Sequence, residues 1–433
     1  MHPMARLQPV ESRPDMNSGA SKRAANRPKK RVLILELGAD GHHPFYVRLL
    51  LESGLADEAH IVLAGQPGLF THSAIAECPV AFERYPLELG LGHHLLWASS
   101  ATAVFRRSWI LGRIYRSAHA ELSRNAAVDL VIVPYLDDCL LGLAAPRRPF
   151  GATPWISITM RTMFHFDAIG VSAPAQRFAP LRRWLTYRLL RQPTNAALLT
   201  IDPTLAQFAT RQQRPMFRKI HYLPDPAPQY LPPLPQPQAR AQLGIPLDVR
   251  LVLIYGDISS RKGIFSLVEA AADPQCSPRI HLLLAGRNRQ AEQLGATSGW
   301  QALVADHRIH LIEGFMDDEQ ERLLLAAADC MWVGYIDFYG VSSVMAMAAR
   351  NAMPVIASDH GLVGYLCRNH GLGALVEPRH IGSIVTALNR LVNEPEFFKR
   401  AGHNGVAVFQ DHAPIEFQRR VMDSVRQSWK RYD

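Results

Sequence analysis

The sequence predicts an α/β protein of two doubly wound, Rossmann-like domains facing each other across a cleft. Three observations carry this. Short continuous apolar runs of strand length alternate with helical stretches along most of the chain, the pattern of parallel sheets buried on both faces. At 433 residues the chain exceeds the roughly 250 to 300 residues at which a single hydrophobic core stops growing. A proline-rich stretch from Pro224 to Pro246 interrupts the alternation near the middle, where neither a helix nor a central strand is expected to continue.

In chain order, residues 1–30 lack apolar periodicity and carry seven Lys/Arg against two Asp/Glu, so they read as a basic, disordered tail. The first domain, residues 31–225, opens with a strand at 32–35, a glycine-bearing loop and a helix at 45–55. Strand 61–64, a helical region at 94–123, strand 130–134, helix 139–144 and strand 155–159 follow. A basic helical region at 175–190 and strands at 197–201 and 220–223 complete it. Residues 226–246 are expected to link the domains. In the second domain, residues 247–410, strands at 251–255, 281–285, 309–312, 331–334, 354–357 and 374–376 are interspersed with helices at 264–272, 318–328, 343–349, 362–369 and 381–392. The last segment, 411–433, contains an amphipathic stretch placed to cross back to the first domain.

Composition narrows the function. With 48% hydrophobic and 20% charged residues, the chain is an ordinary globular one. No apolar run approaches the ~20 residues of a membrane span, and residues 1–30 lack the apolar centre of a signal peptide, so the expected location is cytoplasmic. Five scattered cysteines in no Cys-x-x-Cys spacing suggest buried reduced thiols. The net charge of +9 is uneven: residues 146–219 hold twelve Lys/Arg against Asp167 and Asp202 alone. Such a face attracts anions. Nucleic acid is not an expected partner, because no recognised binding motif accompanies the charge.

The chemistry is expected at the seams where strands end and helices begin. In the second half, Gly256 closes an apolar strand and Arg261-Lys262-Gly263 precedes a helix; Tyr339, Gly340, Ser342 and Ser343 precede another. Free N–H groups and helix dipoles at such starts hold anions, and two cations beside them can neutralise a diphosphate. A solvated Arg-Lys pair opening a helix is the plain alternative. In the first half, Gly41, His42 and His43 follow the first strand, Asp137 and Asp138 follow the strand at 130–134, and Arg161 and His165 follow the strand at 155–159. His43, Asp137, Arg161 and His165 are candidate base or acceptor-contacting groups; surface or capping roles are the alternative. The segment 177–191 combines five arginines with Trp184 and several leucines, a composition suited to an anionic membrane surface or an anionic polysaccharide.

Taken in order, Gly256, Lys262-Gly263, Leu283 to Gly286, Ala326 to Asp329, Pro354 to Ser358, Gly361 to Gly364 and the stretch from Gly373 to Pro378 resemble the nucleotide-binding domain of retaining group 1 glycosyltransferases of the GT-B fold. The resemblance covers roughly the C-terminal half. It implies that Lys262 contacts a donor diphosphate, that Gly340, Ser342 and Ser343 present a helix start to the phosphates, and that residues 38–41 form the facing loop. Two positions depart from the family. Asp257 stands where an arginine is usual. The paired glutamates before the Pro-Val strand fall on Tyr339 and Met347, or on Asp337 and Met345, so that in neither register is a second carboxylate present.

The expected function is transfer of a sugar from a nucleotide-sugar donor to a polysaccharide or lipid-linked acceptor, peripheral to the inner membrane face. The alternative is a catalytically silent protein of the same fold that binds a nucleotide sugar or a partner transferase. No cofactor or metal is expected: Arg261, Lys262 and helix starts can meet the leaving charge, and no Asp-x-Asp pair marks a metal site.

Overall fold

The computed structural model describes residues 29–87 and 101–432. Most of the basic tail and residues 94–100 of the helical region expected at 94–123 lie outside the described residues. The fold is α/β with two fully parallel sheets, as the alternation predicts. The first contains β1 (Lys30–Leu35), β2 (Ala59–Gly65), β3 (Glu83–Pro86), β4 (Leu130–Val133), β5 (Trp155–Thr159), β6 (Asn195–Thr200) and β7 (Ile220–Tyr222), in the spatial order β3-β2-β1-β4-β5-β6-β7. The second contains β8 (Arg250–Tyr255), β9 (Ile280–Gly286), β10 (Ile309–Glu313), β11 (Cys330–Val333), β12 (Val355–Ser358) and β13 (Gly373–Val376), ordered β10-β9-β8-β11-β12-β13. The order reverses between β1 and β4 and again between β8 and β11. At such switch points the adjacent connections leave in opposite directions and open a crevice beyond the strand C-termini.

Strand periodicity assigns the cores. In β1, Val32 and Ile34 face one apolar cluster while Leu33 and Leu35 face another on the opposite side of the sheet. In β8, Leu251 and Leu253 divide from Val252 and Ile254 in the same way. Side chains two apart share a face, so a continuous apolar run serves two cores at once. β3 has no such run: it is an edge strand reading Glu-Arg-Tyr-Pro, and its polarity hid it from pattern reading.

The span 226–246 differs from a simple linker, because it contains helix Gln236–Leu243. Its proline lies in the first turn, where no N–H partner is needed and the fixed φ suits a helix. Arg240 of this helix is 1% exposed, pairs with Asp329 at 2.6 Å and donates to the Ala327 carbonyl at 2.9 Å, which fastens the helix to the second domain. Helix Pro414–Tyr432 sets Phe417, Val421, Met422, Val425 and Trp429 into one of the two cores of the first domain. The chain therefore passes between the domains twice, and the two passages touch: Ala227 N–H donates to the His412 carbonyl at 2.9 Å, and the His412 ring bonds the Asp225 carbonyl at 2.7 Å.

Candidate functional site

Four loops leave the two switch points, and the structure brings them face to face. In the first domain, β1 is followed directly by Glu36, which is 2% exposed. Its Oε1 accepts from the Gly38 N–H at 2.7 Å and from His43 Nδ1 at 2.9 Å. The acid thus fixes Nδ1 as the protonated nitrogen and leaves Nε2 as the one that can take a proton. Gly41, at φ +62°, makes the turn between them, in the left-handed region that glycine occupies without penalty. The His43 ring packs 4.0 Å from the Tyr135 ring, and Arg161 lies over Tyr135 at 5.7 Å. Burial lowers the His43 pKa, but the hydrogen bond and charge of Glu36 outweigh it and the net shift is upward. His42 moves down, through burial and then the positive charges of His43, Arg161 and Arg261. Arg261 belongs to the second domain, so this loop lies within electrostatic reach of the opposite face.

In the second domain, Lys262 is 5% exposed and donates to the Tyr255 carbonyl. Burial first, then the Arg261 charge, push its pKa down to about 8, with Asp257 opposing. Gly263, at φ +62°, ends the short turn Ser260–Lys262 and starts helix Ile264–Ala272. A Cβ there would sit 2.5 Å from the Gly334 carbonyl. The loop is bound to its neighbour at the switch point: Ile336 N–H donates to the Arg261 carbonyl at 2.8 Å, and Trp332 Nε1 to the Lys262 carbonyl at 2.6 Å. Arg261 lies over the Phe338 ring at 4.8 Å. Asp257 pairs with Arg289 at 2.7 Å, which places a further cation at this edge.

The Tyr339 to Ser343 stretch completes the face. Ser342 caps helix Ser343–Arg350 by accepting from Met345 N–H at 3.3 Å and bonds the Tyr335 hydroxyl at 3.0 Å. Its side chain is committed to the loop. Gly340 and Ser343 leave the backbone open around a helix start whose first amides lack intrahelical acceptors. Tyr339 packs 5.5 Å from the His360 ring and bonds Asp337 at 3.3 Å, while Arg379 pairs with Asp337 at 2.6 Å. Met345 and Met347 are 1% and 5% exposed, in the domain core. Among the described residues, Asp359, His360 and Glu377 have ligand-type atoms within 4.8 Å of one another, a group that can hold a cation. The domains meet here: Val341 packs against the first-domain core, and Gly361 N–H donates to the Ser172 carbonyl at 2.6 Å.

Not every expected group reaches the cleft. His165 is a correction: it is 0% exposed, with Nε2 2.9 Å from Thr204 Oγ1 and 3.2 Å from Asp202, among Phe164, Phe166 and Phe208. The residue follows β5, but the chain turns inward, and a sealed imidazole cannot touch a substrate. The Asp137 carboxylate accepts from Thr159 Oγ1 at 3.2 Å, Met160 N–H at 2.7 Å and Arg161 N–H at 3.1 Å. It braces the turn that presents Arg161. Glu36, Tyr135 and Phe338 were missed. Only Glu36 left a signal, as an acid directly extending a buried apolar strand.

The family model described as "Glycosyl transferases group 1" matches residues 235–407. A putative teichuronic acid biosynthesis glycosyltransferase, TuaC of Bacillus subtilis (strain 168), is 28% identical over 158 residues, and the match spans 36% of each chain. The fold extends further. Sucrose-phosphate synthase of Thermosynechococcus elongatus superimposes with a TM-score of 0.66 at 19% identity, over 93% of this chain and 100% of that one. HepE of Anabaena, solved with UDP and glucose, superimposes with a TM-score of 0.59 at 15% identity, over 92% and 99%. WaaG, a glycosyltransferase of lipopolysaccharide biosynthesis, does so with a TM-score of 0.59 at 15% identity, over 90% and 98%. Residues 235–407 are therefore similar to the group 1 glycosyl transferases, within a chain whose fold is that of the GT-B structures it superimposes on.

Proposed function

We propose that the protein transfers a glycosyl group from a nucleotide-sugar donor, bound in the second domain, to a polysaccharide or lipid-linked acceptor presented by the first. The observation that carries this reading is the pairing of a cationic diphosphate cradle, Arg261 and Lys262, with a histidine loop, Gly41 to His43, across one cleft, inside a family-matched domain. The bond from the anomeric carbon to the diphosphate oxygen breaks and a bond to the acceptor oxygen forms. Arg261, Lys262 and the amides at Gly340 and Ser343 take the charge of the leaving diphosphate, and His43 Nε2 receives the acceptor proton. Retention of anomeric configuration is carried over from the resemblance and is read from the anomeric coupling constant of the product. The name of TuaC refers to teichuronic acid and that of WaaG to lipopolysaccharide, and HepE holds UDP and glucose; these support a surface-glycan acceptor and a nucleoside diphosphate sugar.

The acceptor side also suggests where the enzyme works. Helix Ala179–Leu190 buries Leu185, Leu189 and Leu190 and turns Leu181, Arg183 and Trp184 outward, with Trp184 54% exposed. In our reading this edge rests on an anionic membrane from the cytoplasmic side. Among the described residues no helix is long and apolar enough to cross a membrane. The test is incubation with a panel of nucleotide sugars, following thermal shift and nucleoside diphosphate release, with Lys262→Ala as control. Failure of every donor to bind would sink the proposal. A second reading, a catalytically silent binder, is favoured by Met345 and Met347 occupying the core where a second carboxylate is usual; donor binding without release under any acceptor would select it.

A further inference from the structure

A second cationic cavity lies on the first domain, far from the cleft. It encloses about 410 Å³ between the start of β6, the turn leading into β7 and the end of helix Pro414–Tyr432, and its lining includes Arg218, Lys219, His221, Gln427, Ser428 and Arg431. The cleft loops leave the C-terminal ends of the parallel strands, whereas Ala196 and Ala197 in this lining begin β6, and Arg218 and Lys219 precede β7. A six-residue strand spans about 20 Å, so the cavity and the donor site are at opposite ends of the fold.

We propose that this cavity is a binding site for a phosphate group, free or on a lipid headgroup. Two guanidinium groups, an ammonium and an imidazole converge on one concavity, and no carboxylate is among the residues that line it. Like charges held together without a counter-charge repel, and an anion relieves the repulsion. The arrangement already registers this: burial, and then the Arg431 charge, push the Lys219 ammonium down to about 8. One of its donors is held by the Gln192 carbonyl at 2.9 Å, which fixes its position and leaves two for a ligand. The two guanidinium forks suit tetrahedral oxyanions, and the Gln427 amide can add a neutral hydrogen bond. More than one positive charge in one cavity selects a dianion over a carboxylate. The volume lies within the range of small-molecule sites and leaves room beyond the phosphate for an attached group. An occupant would bridge β7 to the C-terminal helix and so brace the edge of the first sheet.

The test separates this site from the donor cradle, which also attracts phosphate. In thermal shift, inorganic phosphate at about 10 mM, against chloride of equal ionic strength, is expected to raise the midpoint by about 2 °C. The shift should persist in Lys262→Ala and vanish in the Arg218→Gln/Arg431→Gln double variant, which alters only exposed side chains and should keep nucleotide-sugar binding. Co-sedimentation with phosphatidylcholine vesicles containing phosphatidic acid then identifies the source: loss of retention in the double variant assigns a lipid headgroup, and equal retention with a lost phosphate shift assigns a soluble phosphate. A phosphate shift that survives the double variant, or disappears with Lys262→Ala, overturns the proposal. So does the lack of any response to phosphate or to phosphatidic acid.

Discussion

The loops after β1 and β8 use one backbone device for opposite electrostatic ends. Each closes a buried apolar strand, turns through a glycine at φ +62°, Gly41 or Gly263, and delivers a helix start to the cleft. Beneath the first lies a buried carboxylate, Glu36, and beneath the second a buried ammonium, Lys262. The carboxylate raises the proton affinity of the histidine above it. The ammonium, itself desolvated and beside Arg261, has its own proton affinity lowered. Under the proposed function, the two halves of a transfer reaction, accepting a proton and releasing an anion, would fall to different domains.

The contrast can be broken from either side. Lys262→Ala should have the largest effect, about a hundredfold loss of donor affinity by calorimetry, since under the proposed function it removes a charge-assisted contact to the diphosphate. Gly263→Ala should destabilise by about 2 kcal/mol in denaturant titration, through left-handed strain and contact with the Gly334 carbonyl; Gly41→Ala should cost less, because nothing lies within 4 Å of its Cβ direction. The Lys262 charge is nearly complete at pH 7 and mostly lost by pH 9, given a pKa of about 8. Donor affinity should therefore fall by about tenfold over that interval, and a flat profile would remove Lys262 from the diphosphate. Glu36→Gln should slow transfer by up to about tenfold and, by lowering the His43 pKa, move the acid limb of the kcat/KM profile to lower pH. The smallest effect is expected for Asp257→Asn, whose half-exposed pair with Arg289 should leave the denaturant-titration midpoint unchanged.

The fold was legible because a parallel sheet buried on both faces writes itself as uninterrupted apolar runs; β1, β4 and β8 contain such runs. β3 was not legible, since an edge strand needs no apolar residues. Helix Gln236–Leu243 escaped because proline density argues against helices in general but not in a first turn. At the site, the sequence located loops and not side-chain directions. Arg161 and His165 are four residues apart on the same loop, yet one stacks on Tyr135 at the cleft and the other is sealed against Asp202. Asp137 could be placed at a strand end, but its three hydrogen bonds depend on how the next turn folds. The Glu36–His43 pair shows the converse, a short-range contact marked only by an acid out of place in an apolar run.

The helix that returns from the second domain has a consequence for how the protein is made. The first sheet obtains one of its core walls from Phe417, Val421, Met422, Val425 and Trp429, more than 180 residues after its last strand has been synthesised. The domain translated first is thus the last to be sealed. While the second domain emerges and folds, that face of the first remains open on the ribosome, and it closes only when the C-terminal helix arrives.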